Sequence, residues 1–308
     1  MKAGMSIMKI RRVAIVIAVL CYIVSCTRPS DLDLPKHTPA LVLHGYVQTG
    51  DTFRIALGRT FPSLGNAVKD SSTYVTNGWA LLYEGNVFLD SLKYHPLRKL
   101  YISSRKAEAG KLYMLRAGAP GYTSIEAVSN APFPVPSISV ERKQGARRTI
   151  SGNWLDDLSF TFQDPPAERN FYLASVHGRG SGLSCVYTYD PAVERYSTEA
   201  IPFEDGFCMD HDEILYNDKT FDGTLKRLTL STGVGVLDSF RDGIGTVYRS
   251  YAKRYSVTED YYRYFRGSHT YPLVEGGPSF AQVLGTKGNV KNGHGLFTIF
   301  SVVTDTIR

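Results

Sequence analysis

A chain of 308 residues is long enough for one large domain or two ordinary ones, each with its own core. Its formal charge of +6 comes from 35 Lys and Arg against 29 Asp and Glu, but Lys2, Lys9, Arg11 and Arg12 sit in an acid-free N-terminal stretch, and setting those four aside leaves 31 against 29. No block of cations survives that would bind phosphates by counterion release, which argues against a nucleic-acid partner, while 20 Tyr, 15 Phe, 28 Gly and 15 Pro favour strands punctuated by turns.

In chain order, the first element is a basic segment (Lys9, Arg11, Arg12) followed by an apolar run from Val13 to Val24. That order is what a secretory signal requires, and the run is too short to span a bilayer before Thr27-Arg28-Pro29 breaks it. Ile23-Val24-Ser25-Cys26 has the layout of a lipobox, in which a small residue precedes a cysteine that is lipidated and becomes residue one after cleavage. Ordinary signal cleavage nearby and an uncleaved short anchor are the alternatives. Residues 1–26 are thus expected as a lipoprotein signal ending at the lipid-attachment residue Cys26. Residues 27–38, polar and spaced by prolines, are expected as a flexible tether. Cys21 leaves with the signal, so Cys185 and Cys208 remain, and in an exported chain they are either a disulfide or two buried thiols.

The stretch from Ala40 to Val47 reads as a strand turning at Gln48-Thr-Gly-Asp51 into Phe53–Leu57, a hairpin. Asn77–Tyr83, Asn86–Leu92, Leu100–Ser103, Lys111–Ala117 and Ser124–Val128 follow at short spacing. Seven short strands in residues 39–130 predict an immunoglobulin-like β-sandwich. Asn130-Ala-Pro-Phe-Pro-Val-Pro136 marks a boundary, with residues 131–137 a stiff proline-rich linker. Residues 138–308 are expected as a second β-rich domain with one short helix. Ile138–Arg142, Ser159–Gln163 and Asn170–His177 open it, the last two separated by a turn at Asp164-Pro-Pro166, and Gly178–Gly223 reads as a long-looped region. Alternation predicts one strand over Thr246–Val257 with Val247, Arg249, Tyr251, Lys253 and Tyr255 on one face. Thr258 to Gly267 carries a capping threonine, early acids and a closing glycine, a helix whose Tyr261, Tyr264 and Phe265 pack on a sheet. Asn292-Gly293 predicts a turn before a final strand over Thr298–Val303.

Few catalytic signatures are present. Cys208-Met-Asp-His-Asp-Glu213 crowds potential ligands but fits no complete zinc site, and Asp218–Gly223 lacks the ligand alternation of a calcium loop, so no metal or cofactor is expected. Gly178-Arg-Gly-Ser-Gly182 precedes no helix that would hold phosphate. Neither Gly-x-Ser-x-Gly nor His-Glu-x-x-His occurs, so no catalytic residue is assigned, although a triad dispersed in sequence stays open.

Several motifs resemble a family of Bacteroidota lipoproteins, the domain of unknown function four-two-four-nine. They are the lipobox, the strand Leu41-Val42-Leu43-His44-Gly45, the proline-rich crossing, the turn Asp218-Lys-Thr-Phe-Asp222-Gly223, the helix Tyr261-Tyr262-Arg263-Tyr264, and Asn289-Val-Lys-Asn292-Gly293-His-Gly295-Leu-Phe297. The Cys185 and Cys208 pair is not a recognised part of that pattern. The resemblance implies an outer-membrane lipoprotein, held by lipid on the periplasmic or cell-surface face and often found beside TonB-dependent receptors. It implies no catalytic residues. The expected function is a non-catalytic accessory or binding component of TonB-dependent nutrient uptake; a surface adhesin or glycan-binding module, and an envelope hydrolase with an unrecognised site, are the alternatives.

Overall fold

A computed structural model describes residues 38–61, 73–149, 152–166, 168–178, 186–188, 190–193, 207–209, 213–241, 246–269 and 288–307. The signal, Cys26 and Cys185 lie outside the described residues. Residues 39–308 form one compact unit, built from strands and a single described helix.

The expected hairpin is β1 (Leu41–Gln48) and β2 (Thr52–Arg59), turned at Gly50 with φ +89°, a value glycine adopts without steric cost. Then come β3 (Trp79–Glu84), β4 (Val87–Ser91), β5 (Lys93–His95), β6 (Leu100–Lys106), β7 (Leu112–Gly118) and β8 (Ile125–Asn130). They make two sheets, β1-β2-β6-β5 and β4-β3-β7-β8, with β4 running straight into β5 so that the chain crosses between sheets at Leu92. This is a β-sandwich. Alternation decides its inner face: Leu41, Leu43 and Val47 of β1 point inward with Phe53, Ile55 and Leu57 of β2, against Ala80, Leu82, Tyr113, Leu115 and Ile125.

Beyond the sandwich lie β9 (Ser139–Arg148), β10 (Trp154–Gln163), β11 (Phe171–His177), β12 (Val186–Thr188), β13 (Phe207–Met209), β14 (Glu213–Asn217), β15 (Leu225–Gly233), β16 (Phe240–Arg241), β17 (Val247–Tyr248), β18 (Tyr251–Val257), α1 (Glu259–His269) and β19 (His294–Thr306). A five-stranded sheet, β13-β12-β15-β10-β9, encloses a second core with the inner face of β14-β11-β18. The last strand unites the two regions. β19 pairs parallel with β1 from Val42 opposite His294 to Gln48 opposite Phe300, and antiparallel with β18, so the eight strands β14-β11-β18-β19-β1-β2-β6-β5 form one sheet. It gives Phe297 and Ile299 to the first core, and Ile307, the residue just after it, enters the second.

Residues 131–137 separate the two cores, but not the sheet, and they are pinned by side chains from it. Ser301 Oγ donates to the Pro132 carbonyl at 2.5 Å, the Arg254 guanidinium donates to the Val135 carbonyl, and Ser137 Oγ donates to Asp305 Oδ2 at 2.6 Å.

Three expectations need correction. The region Gly178–Gly223 is not all loop: it contains β12, β13 and β14, the last an edge of the eight-stranded sheet. The strand expected over Thr246–Val257 is broken at Arg249–Ser250, where buried Ser250 turns away to the Val236 and Asp238 carbonyls. Tyr251, Lys253 and Tyr255 do share a face, but the opposite one is buried, placing Arg254 in the second core. The helix also runs past Gly267 to His269, while its start is as expected, with Thr258 Oγ1 accepting the Tyr261 amide at 3.1 Å.

Candidate functional site

Among the described residues, three carboxylates come together at two adjoining turns. One, Asp164-Pro165-Pro166, connects β10 to β11; the other, Asp218–Gly223, connects β14 to β15. Two prolines end β10 because neither has an amide to give a ladder. The second turn folds on itself as the Phe221 amide donates to the Asp218 carbonyl at 2.7 Å and the Thr224 amide to the Phe221 carbonyl at 2.9 Å. Its Gly223 has φ +66°, and a Cβ there would stand 3.0 Å from Pro166 Cβ, so both conformation and space call for glycine.

Carboxylates lock the turns together. Asp164 is wholly buried; its Oδ1 accepts the Tyr172 hydroxyl at 2.5 Å and its Oδ2 the Gly223 amide at 2.9 Å. Asp218 is also buried and accepts the Asn170 amide at 2.6 Å. Asp222 is exposed, and one oxygen from each of Asp164, Asp218 and Asp222 lies within 4.8 Å of the others. Burial pushes the Asp164 and Asp218 carboxyls above the usual carboxylate range, and the neighbouring acids push the same way, against the lowering effect of the donated hydrogen bonds. Such a cluster can retain a proton or offer oxygens to a hard cation, for which Asp164, Asp218 and Asp222 are the ligand set. The two inner carboxylates are closed to a bulky substrate.

This junction extends to the helix. Asn217, next to Asp218, donates from Nδ2 to the Tyr262 hydroxyl at 3.0 Å, and Tyr262 is buried against Phe171 with ring centroids 5.0 Å apart. Tyr262, which sequence reasoning did not single out, therefore seats α1 on the sheet together with the expected Tyr261 and Phe265, which pack against the same cluster. Tyr261 and Phe265 lie at half-buried positions of an aromatic chain that continues to Phe300, Tyr255 and exposed Tyr46. Tyr264 packs on Phe265.

The last motif lies elsewhere, where β19 meets β8. Asn289 replaces a strand partner: its side chain donates to the Val128 carbonyl at 2.8 Å and the Phe297 carbonyl at 2.7 Å, and accepts the Phe297 amide at 3.0 Å. Asn292 has φ +61°, as the expected turn requires. A Cβ on Gly293 would meet the Leu41 carbonyl at 2.7 Å, and one on Gly295 would meet the Leu43 carbonyl at 2.0 Å, so both glycines let β19 lie against β1. Phe297 fills the first core above Gly45, whose own Cβ would stand 3.0 Å from that ring.

The motif residues thus form two groups. Asp218, Asp222, Gly223 and Tyr262 belong to the turn junction, and Asn289, Gly293, Gly295 and Phe297 to the β1/β19 seam. Sequence reasoning missed Asp164, whose only signal was its place before two prolines. Cys208 lies on β13 opposite Tyr187 of β12, and its expected partner Cys185 falls outside the described residues. So do Asp210, His211 and Asp212 of the Cys208–Glu213 run.

No curated protein matches this chain. Among solved structures, a biofilm associated protein, BSP domain, aligns with 88% of this chain and 60% of its own at 7% identity and a TM-score of 0.21, a likeness that carries no argument. The chain therefore spans about 60% of the length of that protein. A family model matches almost the entire sequence after Cys26, residues 27–306. The chain belongs to the family described as Domain of unknown function (DUF4249).

Proposed function

We propose that this protein is a lipid-anchored, non-catalytic binding component of a TonB-dependent nutrient uptake system at the outer membrane of a member of the Bacteroidota. The observation that carries the reading is the order of parts: a basic segment, a short apolar run and Ile23-Val24-Ser25-Cys26, with the family match beginning at the very next residue. Lipid on Cys26 confines the folded unit to a membrane surface, where a partner is met at high effective concentration and modest affinity suffices for a working complex. The motif residues support binding over turnover, because those described hold strands, turns and the helix in place.

The experiment is recovery of partners from envelopes in mild detergent with the tagged full chain. A TonB-dependent receptor is the expected partner, and Cys26→Ala abolishes both lipid labelling and that recovery. Repeated recovery of no outer-membrane protein, together with hydrolysis of an envelope or nutrient polymer by the purified chain, overturns the reading in favour of an enzyme.

A further inference from the structure

The chain enters the sandwich at one end, and the loops gathered there have a composition of their own. β1 starts at Leu41, opposite Arg59, the last residue of β2. The turn between β5 and β6, Pro96 to Lys99, opens at the same end, since Tyr101 pairs with Ile55 just inside it. Tyr101 Oη accepts the Gly78 amide and donates to the Val75 carbonyl, both at 2.9 Å, which brings the approach to β3 alongside. Trp79 then lies opposite Gly118 at the head of the β7–β8 turn, and Lys291 bridges to Glu126.

Two large apolar side chains at this end are exposed. Leu97 is 92% exposed at the tip of a turn held by the Arg98 amide donating to the His95 carbonyl. Trp79 is 43% exposed although its indole lies over Gly118, where a Cβ would come within 2.6 Å of the ring. One exposed apolar residue is ordinary on any surface. Here they are set among cations: Arg98 and Lys99 follow Leu97, Lys99 lies 4.9 Å over the Tyr74 ring, and Arg59 and Lys291 complete the rim. Among the described residues of this end, 38–40, 59–61, 73–79, 95–100, 118–125 and 290–294, there is no Asp or Glu. The adjoining acid, Glu126, is matched by Arg116 at 2.9 Å and Lys291 at 3.5 Å.

We propose that this end of the sandwich is a lipid-docking surface, on which Trp79 and Leu97 enter the headgroup region of a phospholipid leaflet and Arg98, Lys99 and Lys291 face anionic phosphates. Indole rings favour the boundary between headgroups and acyl chains, and each cation near an anionic surface favours the docked state about fivefold. The occupant follows from where the chain begins its fold. Pro39 is at this end, so the chain that leads back to a lipid on Cys26 leaves the fold beside this surface. The proposal rests on the lipoprotein reading above and adds an orientation to it: the sandwich stands on the membrane, and the second region faces away.

The test uses the lipidated full chain, purified from envelopes and reconstituted in vesicles of phosphatidylethanolamine and phosphatidylglycerol with brominated acyl chains. The chain has two tryptophans, so Trp154→Phe leaves Trp79 as the sole indole. Its emission is expected to fall about twofold or more against unbrominated vesicles, consistent with insertion to the headgroup boundary. Trp79→Phe, which reports on Trp154 in the second region, is expected to show no loss. Leu97→Asp, at a position no core depends on, and Arg98→Glu with Lys99→Glu reverse the Trp79 quenching. Vesicle flotation separates the two failures. A chain that floats with an unquenched Trp79, or with both indoles quenched alike, overturns the docking and leaves the anchor standing; a floating chain whose Trp79 is instead shielded by a co-purifying protein overturns it in favour of a protein partner. A chain that neither floats nor carries lipid overturns the anchor and the docking with it.

Discussion

Between the sheets of the sandwich the buried side chains are Leu, Ile, Val, Phe and Ala with Tyr101 and Tyr113, and the buried polar residues its own strands supply are two serines, Ser103 and Ser129. The second region buries Asp156, Asp164, Asp218 and Arg254 as well as many hydroxyls. Some of these charges are matched. Arg142 reaches Asp156 at 2.6 Å and Asp238 at 2.5 Å, Arg147 reaches Asp157 at 2.8 Å, and Lys226 reaches Asp190 at 2.7 Å. Among the described residues, the Tyr216 hydroxyl and Arg254 Nη1 meet no hydrogen-bond partner. Apolar burial is non-directional, whereas a buried charge stabilises a fold only when its partners are in place. The sandwich is thus held by area and the second region by area together with particular pairs, and the two respond differently to the same kind of change.

The largest effect is expected where the regions join. Gly295→Ala places a methyl group against the Leu43 carbonyl in a backbone at φ +104°, so β19 cannot keep its parallel pairing with β1. Backbone strain and the lost close approach together cost about 3 kcal/mol or more, and both cores lose side chains that β19 and the residue just after it supply. Denaturant unfolding should show a single large loss felt in both regions, read by Trp79 in one and Trp154 in the other. A loss confined to one indole would mean that the regions are energetically separate despite the shared sheet.

Arg254 sharpens the contrast. It is 2% exposed, stacks 4.1 Å above the Phe162 ring and donates to the Val135 carbonyl, and burial holds its guanidinium below its ordinary range. Arg254→Ala leaves a cavity and an unpaired carbonyl, with an expected cost of about 3 kcal/mol. Arg254→Met fills the space without a charge to desolvate and should recover most of it, because apolar replacements of buried ions are often neutral or stabilising. In the sandwich no such rescue exists: Phe53→Ala should cost about 4 kcal/mol, and a polar replacement of equal size should cost more. If Arg254→Met is as damaging as Arg254→Ala, the guanidinium is doing something that packing cannot replace.

Legibility in the sequence follows the same division. Strands that bury one apolar face, such as Leu41–Gln48 and Leu112–Gly118, announce themselves by alternation, so the sandwich could be laid out nearly strand by strand. β5, at three residues, was too short to show. β15 is hard to read because its Lys226, Arg227, Thr229, Ser231 and Thr232 mask the inward Leu228 and Leu230, and alternation groups Tyr251, Lys253 and Tyr255 on one face of β18 without telling that the opposite face, with Arg254, is the buried one. Within Gly178–Gly223, β12 and β13 have three residues each and β14 five, too short to show a period. Of the turn junction, Asp218, Asp222 and Gly223 were visible as a compact motif, but Asp164 lies on another turn and only strand pairing brings it near. The β1/β19 seam could be read as a glycine-rich motif but not as a parallel pairing of the first and last strands, since nothing local encodes a partner so distant in sequence.

The smallest expected effect is also the one that tests whether the second region's polar pairs set its response to pH. The Asp164 and Asp218 carboxyls are held above their unfolded values, first by burial, so the folded state binds more protons than the unfolded one in the window between the unfolded carboxylate range and the raised folded values. Stability from these groups is therefore fully present below the unfolded value and is lost as pH rises through the folded value. Asp164→Asn keeps an acceptor for the Tyr172 hydroxyl or the Gly223 amide and removes the charge. At neutral pH the change should be about 1 kcal/mol or less, the loss of one charge-assisted hydrogen bond offsetting the relief of crowding among three acids. Its signature is the slope: melting temperatures taken from mildly acidic to neutral pH should fall less steeply in Asp164→Asn than in the natural chain, while Glu126→Gln, at a half-buried surface acid of the sandwich whose carboxyl its Arg116 partner holds below the usual range, should leave that slope unchanged, because a lowered carboxyl exchanges its proton below this window. Equal slopes in the natural chain and Asp164→Asn would place the proton-linked behaviour outside this junction. Calcium, added at neutral pH to the natural chain and to Asp164→Asn, separates proton retention from cation capture: a rise in melting temperature in the first alone means that the three oxygens accept an ion, and no rise in either leaves the proton as what relieves their repulsion.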